Sequence, residues 1–303
     1  MPEQAARHQR LALIALWFVP ALWAVNYVVA RKAPGVIGPH LLALGRWALA
    51  ALVLCILARK EIWAKRKNIL ANSTQFLILG ACGMLVCGAW VYQGARTTSA
   101  MNIALIYASS PVLIAVGSVL WLGERMNKVQ IAGVVLAIAG VLHVVLKGQW
   151  TALAGIQFVA GDLWIVAAAI AWAAYALLQK WWPSDLSVTA RLAMICLGGC
   201  VTIAPFAYWE LLQPNLTVWG QPAFTLIVVA AVFPSLGAYW LYGWAQNMLS
   251  ANKVAIILYL GPLYGALASW SVLGEQLGWH HLWGALLILP GVFLVTNSSY
   301  TRK

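Results

Sequence analysis

Residues 99–124 read SAMNIALIYASSPVLIAVGSVLWLGE, and residues 250–275 read SANKVAIILYLGPLYGALASWSVLGE. At a constant offset of 151, Ser99-Ala100 returns as Ser250-Ala251, Pro111 as Pro262 and Gly123-Glu124 as Gly274-Glu275. Ala104, Ser118 and Leu122 keep that register with Ala255, Ser269 and Leu273. Further on, Gly133 and Gly140 return as Gly284 and Gly291. Apolar composition alone does not hold so many landmarks in step. The chain is expected to be a duplicated unit, residues 1–150 and 151–303.

Composition fixes the solvent. Of 303 residues, 63% are hydrophobic and 9% charged, with a mean hydropathy of +0.83; a soluble domain carries roughly 25% charged residues. Apolar runs of about 20 residues without dyad alternation predict an all-α integral membrane protein, not a barrel. Ten spans are expected, at residues 11–30, 36–58, 75–95, 98–121, 129–146, 161–182, 188–212, 223–246, 252–273 and 279–296. The first is longer than a signal-peptide core, contains Pro20 and Asn26, and shows no small-residue cleavage site, so it counts as a span.

A net charge of +12 invites a nucleic-acid partner. That reading fails, because the cations sit in short links between spans, where orientation signals belong. Thirteen Lys and Arg fall on the side of the termini and four (Arg31, Lys32, Arg96 and Lys147) on the other, which predicts both termini in the cytoplasm. The polybasic link from Arg59 to Ser73 is expected to lie along lipid headgroups. Cys55, Cys82, Cys87, Cys196 and Cys200 are odd in number and lack ligand spacing, so they read as small core residues; no metal or cofactor is expected.

Each unit has five spans, and five is odd. The second copy therefore enters the membrane from the face opposite to the first, giving two inverted five-helix repeats about an axis in the membrane plane. Such symmetry supplies two similar end states, one open to each side. Transport by alternating access follows naturally, although a channel arises from the same symmetry. Shorter echoes run in order: Trp23-Ala24 with Trp172-Ala173, and Trp90, Tyr92, Ala95 with Trp240, Tyr242, Ala245.

These units, each with Pro in its fourth span and Gly-Glu after it, resemble the drug/metabolite transporter superfamily and its ten-helix bacterial exporter branch. The abundance of Trp and Tyr looks most like the aromatic amino acid exporters of that branch. The resemblance implies a central cavity lined by spans one to four and six to nine, with spans five and ten at the flank. Its expected ligand is a small molecule, an amino acid or similar metabolite, with lipid as surroundings and the oligomeric state open; carriage of other metabolites or drugs stands as the alternative.

Helical faces give the candidate lining. Trp23, Asn26, Tyr27 and Ala30 share one face of span one, and Ala168, Trp172, Tyr175 and Gln179 the matching face of span six. Mixed rings and amides suit an amphipathic ligand; packing between helices is the competing reading. Span eight sets Phe233, Gly237, Trp240 and Trp244 on one face, with Tyr239 and Tyr242 to either side; the corresponding face of span three is Gly83, Cys87, Trp90 and Gly94. With Tyr92, these complete the expected aromatic wall. Arg46 and Arg191 stand inside spans two and seven, where a cation costs about 2.5–3.5 kcal/mol unless it meets water or a partner. A substrate carboxylate, snorkelling, or a neighbouring helix C-terminus each answers that need. Pro111, Gly261 and Pro262 are expected as hinges or tolerated kinks. Gly133, Ala137 and Gly140 read as packing. Glu124 and Glu275 read as N-caps or surface charges of the helices that follow them. No metal-ligand spacing and no nucleophile–base pair points to an enzyme.

Overall fold

The computed structural model describes residues 2–95, 97–213, 217–274 and 276–297, with the backbone alone for residues 2–6, 27, 100, 269 and 273. Arg96, Glu275, Arg302 and Lys303 lie outside the described residues. Ten helices are long and apolar enough to cross a membrane. They are α1 (Arg7–Lys32), α2 (Pro39–Ala64), α3 (Ser73–Gly94), α4 (Met101–Leu122), α5 (Lys128–Val145), α6 (Ala160–Trp181), α7 (Val188–Leu211), α8 (Gln221–Met248), α9 (Ala251–Val272) and α10 (Trp279–Asn297). No strand occurs among the described residues. All ten expected spans are present, shifted by a few residues at their ends. The polybasic link is itself mostly helical: α2 runs on to Ala64, and a short helix, Arg66–Ala71, leads into α3.

The duplicated landmarks prove to be helix punctuation. Ser99 Oγ accepts from Asn102 N at 3.1 Å and Ser250 Oγ from Lys253 N at 3.4 Å, so both serines cap the starts of α4 and α9. Gly123 (φ +65°) and Gly274 (φ +71°) end the same helices in the left-handed region, which disfavours a side chain. The two prolines follow a break. α4 opens at Ala108 and Ser109 before Pro111, and α9 tightens to a 3₁₀ stretch, Ile256–Leu260, before Pro262. Each proline thus enters the first turn of a renewed helix, where its missing N–H is no loss.

Helix packing pairs the two halves. α5 packs on α10, and α2 on α7. α1 meets α9 as α6 meets α4, and α1 meets α8 as α6 meets α3. The α5–α10 seam is built from glycine. A Cβ on Gly133 would lie 2.7 Å from Gly291 O, and one on Gly140 would lie 2.8 Å from Gly284 O. That register, rising on one helix as it falls on the other, runs the pair antiparallel and bears out the packing role of these glycines.

Candidate functional site

Four helices bring rings together in the middle of the bundle. Trp23 of α1 stands edge-on to Trp172 of α6, centroids 5.3 Å apart at 84°. Trp172 stacks on Tyr175 at 5.4 Å, and Tyr242 of α8 lies 5.5 Å from Trp23 and 5.3 Å from Trp172. Tyr239 touches Trp172 at 5.7 Å and Trp47 of α2 at 4.8 Å. Edge-to-face pairs of this kind contribute about 0.5–1.5 kcal/mol each beyond area burial. Trp47, Trp172, Tyr175, Tyr239 and Tyr242 are buried. Of the candidate faces of spans one and six, Trp23 and Trp172 meet, while Gln179 turns to Gln246. Trp47 escaped the sequence reading, since one more Trp among 18 carries no mark of its own.

The expected wall of span eight is rearranged, and the cause is local. Ala231–Ala238 in α8 and Ala81–Val86 in α3 are π-helical, at matching places in the two halves. A π turn takes in an extra residue and rotates everything beyond it relative to a regular helix. Phe233 is consequently exposed, Gly237 faces Leu22, and Tyr239 and Tyr242 turn inward with Ser235 and Ala238. Trp240 sits to the side, donating its Nε1–H to Thr189 Oγ1 at 3.0 Å and stacking on Trp244. In α3, Gly83 O accepts from Tyr239 Oη at 2.8 Å. Trp90 packs instead on Trp164 and Phe206, at 5.2 and 6.0 Å.

A polar group adjoins the rings. Arg46 Nη1 donates to Asn26 Oδ1 at 3.1 Å, Tyr92 Oη donates to the same oxygen at 3.2 Å, and the Arg46 guanidinium lies 4.9 Å from the Trp47 ring centroid. An amide oxygen and a ring face thus stand where an acid would pair the buried cation. The Tyr27 side chain is outside the described residues. Among the described residues, Arg46 Nε, Trp47 Nε1, Trp172 Nε1 and Tyr242 Oη are buried without a hydrogen-bond partner. Such groups cost about 1–3 kcal/mol each when unsatisfied, so a polar ligand reaching them would gain directional bonds. Arg191 differs from Arg46. Its Nη2 donates to Gln179 O at 2.9 Å and Trp182 O at 2.7 Å, capping the C-terminus of α6.

The two ends of the bundle are packed unequally. Where α6 and α8 finish and α9 begins, Gln179 Nε2 donates to Gln246 Oε1 at 2.8 Å and Lys180 Nζ to Leu249 O at 2.6 Å. Glu124 accepts from Ala251 N at 2.7 Å and from Asn252 Nδ2 at 3.0 Å, while Ser118 Oγ donates to Asn252 Oδ1 at 2.9 Å. Glu124 therefore caps α9, across the bundle. The helix that follows it is capped by Asn127 with Gln130, which corrects the expectation for this residue. Most of α9 from Ala251 to Leu260 is buried, whereas Gly261 to Ala266 are half-buried. In α4 the order reverses: Ser110, Pro111, Ile114, Ala115 and Ser118 are buried, but of 101–108 only Asn102 is.

At the looser end two acids act as braces. Asp162 accepts from Thr98 Oγ1, from Asn102 Nδ2 at 3.0 Å and from Val159 N at 2.8 Å. Glu210, 3% exposed, accepts from His40 N at 3.0 Å, from Leu41 N at 3.0 Å and pairs with His40 Nδ1 at 2.6 Å. In sequence both are simply acids near the ends of spans, and spacing does not show that they serve other helices.

An all-helical bundle of ten membrane-length helices is the class of protein this fold defines. The chain belongs to the EamA-like transporter family, whose signature matches residues 10–146 and again residues 159–297. It is 26% identical over 298 residues to an uncharacterized transporter of Bacillus subtilis, YyaM, covering 96% of this chain and 95% of the relative. It is 26% identical over 288 residues to a probable amino-acid metabolite efflux pump of Salmonella typhimurium, covering 91% of each, and 25% identical over 297 residues to a protein of the same description from Escherichia coli, covering 94% of each. A solved crystal structure shares the fold, with a TM-score of 0.76 and 18% identity over 95% of this chain and 96% of that one.

Proposed function

We propose that this transporter exports aromatic or similar amphipathic amino acids across the bacterial inner membrane by alternating access, with the ring cluster as its substrate site. The observation that carries the reading is the contact between Trp23 and Trp172, which joins the two halves through rings whose neighbours hold buried, unpartnered N–H and O–H groups. Flat rings accept an aromatic side chain by stacking and edge contacts, and the Arg46–Asn26 group beside them suits its polar end. Relatives described as amino-acid metabolite efflux pumps support the substrate class.

Residues 1–150 and 151–303 act in this reading as inverted copies, which the twofold matching of the family signature and the paired helix contacts support. With both termini in the cytoplasm, the end closed by Glu124, Lys180 and Gln246 is the cytoplasmic one in this reading. Exchange of states would pivot at the breaks before Pro111 and at Gly261-Pro262. The test is flux of labelled phenylalanine and tryptophan, beside a panel of other metabolites, in proteoliposomes. A carrier gives saturable flux with counterflow; flux linear in concentration would indicate a pore and sink the reading.

A further inference from the structure

Away from the ring cluster, the short helix Arg66–Ala71, the first turns of α3 and the link between α6 and α7 enclose a cleft of about 270 Å³. Asn68, Asn72, Gln75, Ser184 and Asp185 supply its polar walls, and Arg191 borders it. Arg191 is 8% exposed. Its Nη2 is fixed on two backbone carbonyls, while its Nε–H has no partner among the described residues. A guanidinium held in place by two backbone carbonyls at the edge of an open cleft is an arrangement for a carboxylate. Asp185 is exposed, with its carboxylate accepting from Asn68 Nδ2 at 2.8 Å and lying 3.8 Å from Lys65 Nζ. The cleft thus carries a cation inside and a carboxylate toward solvent. Arg59, Lys60, Lys65, Arg66 and Lys67, in the same stretch of chain, add a positive field that draws in the anionic pole of a solute.

We infer that this cleft is a second, peripheral site that takes a free amino acid, its α-carboxylate on Arg191 and its ammonium toward Asp185, before the solute reaches the ring cluster. The ligand class rests on the amino-acid reading above; the site itself rests on Arg191 and the cleft.

Hydrogen exchange followed by mass spectrometry, on the full chain in phosphatidylcholine nanodiscs, localises the binding. With l-phenylalanine at ten times its Kd, exchange in segments 66–75 and 183–187 should slow about tenfold. The amine-free 3-phenylpropanoate should protect the same segments more weakly, and the carboxyl-free phenethylamine should leave them unchanged. Arg191→Gln should abolish this protection while protection of segments 172–176 and 239–243 persists. Gln75→Trp fills the cleft without touching the carbonyl contacts of Arg191, and should give the same result should Arg191→Gln fail to fold. Phenylalanine flux without protection of 66–75 and 183–187 overturns the cleft alone. Protection by phenethylamine, or protection surviving in Arg191→Gln, also overturns it. Absence of both flux and binding for phenylalanine and 3-phenylpropanoate overturns the amino-acid reading and the ligand assigned to the cleft together.

Discussion

The Glu124 carboxylate lies 2.7 Å from the backbone nitrogen of Ala251, fastening the end of α4 to the start of α9 across 127 positions of chain. It also accepts from Asn252 N at 3.3 Å and Asn252 Nδ2 at 3.0 Å, so one buried side chain satisfies three donors. Glu124→Ala strands all three and is expected to lower stability by about 2–3 kcal/mol. Glu124→Gln keeps one acceptor oxygen and should lose about half as much. Thermal unfolding of the purified variants in detergent checks both; a wild-type midpoint for Glu124→Ala would show that the contact is idle.

The helix punctuation was legible because each landmark obeys a local rule: Ser at a helix start, Gly at a helix end, Gly at a helix crossing. Ser99, Gly123 and Gly133 carry those rules in their residue type. The contact of Trp23 with Trp172 joins residues that a regular helical period singles out on α1 and α6. The wall of α8 was not legible, because Pro234 inside the π segment Ala231–Ala238 marks a break in the helix without showing how far every position after it is turned. The reach of Glu124 and Glu210 to distant helices is equally silent, being a property of tertiary contact and not of spacing.

Tyr242 separates substrate contact from packing. Its hydroxyl is buried with no partner among the described residues, so Tyr242→Phe removes an unsatisfied group and should hold or slightly raise stability. One hydrogen bond to a bound solute is worth about 1.4 kcal/mol, or about tenfold in affinity. Phenylalanine uptake into inverted vesicles should therefore show about a tenfold rise in half-saturating concentration. Unchanged uptake by a well-folded variant would place the hydroxyl outside the path.

Among the tryptophans the structure predicts unequal effects. Trp23 and Trp172 sit in the ring cluster, and replacing either with Ala should reduce phenylalanine flux more than tenfold, with about 3–5 kcal/mol lost from stability at the buried Trp172. Trp240 is tied to Thr189 and stacked on Trp244, so Trp240→Ala should keep flux within about twofold of wild type. Flux normalised to folded protein is the measurement. Equal losses at all three positions would contradict the inward turn of Tyr239 and Tyr242.

Gly133 and Gly123 test two different demands on glycine. At Gly133 a side chain would run into Gly291 O, so Gly133→Leu should separate α5 from α10 and cost about 2–3 kcal/mol. At Gly123 there is open space and a φ of +65°, so Gly123→Ala should cost only about 1 kcal/mol, through backbone strain. Unfolding in graded denaturant ranks them; a reversed order would contradict the close α5–α10 seam.

Ser118 Oγ and Asn252 Oδ1 are 2.9 Å apart, joining α4 to α9 beside Glu124. Alternating access requires that these helix ends separate when the bundle opens on that side. In a background with the five native cysteines replaced, Ser118→Cys with Asn252→Cys should react together with a short bis-methanethiosulfonate linker. The linked protein should still bind phenylalanine at the ring cluster, because that cluster is already assembled in this state. Its flux should fall to background and return on reduction. A linked protein that transports at the wild-type rate would mean that α4 and α9 stay together throughout the cycle, and the pivot at Pro111 and Pro262 would then have no motion to serve.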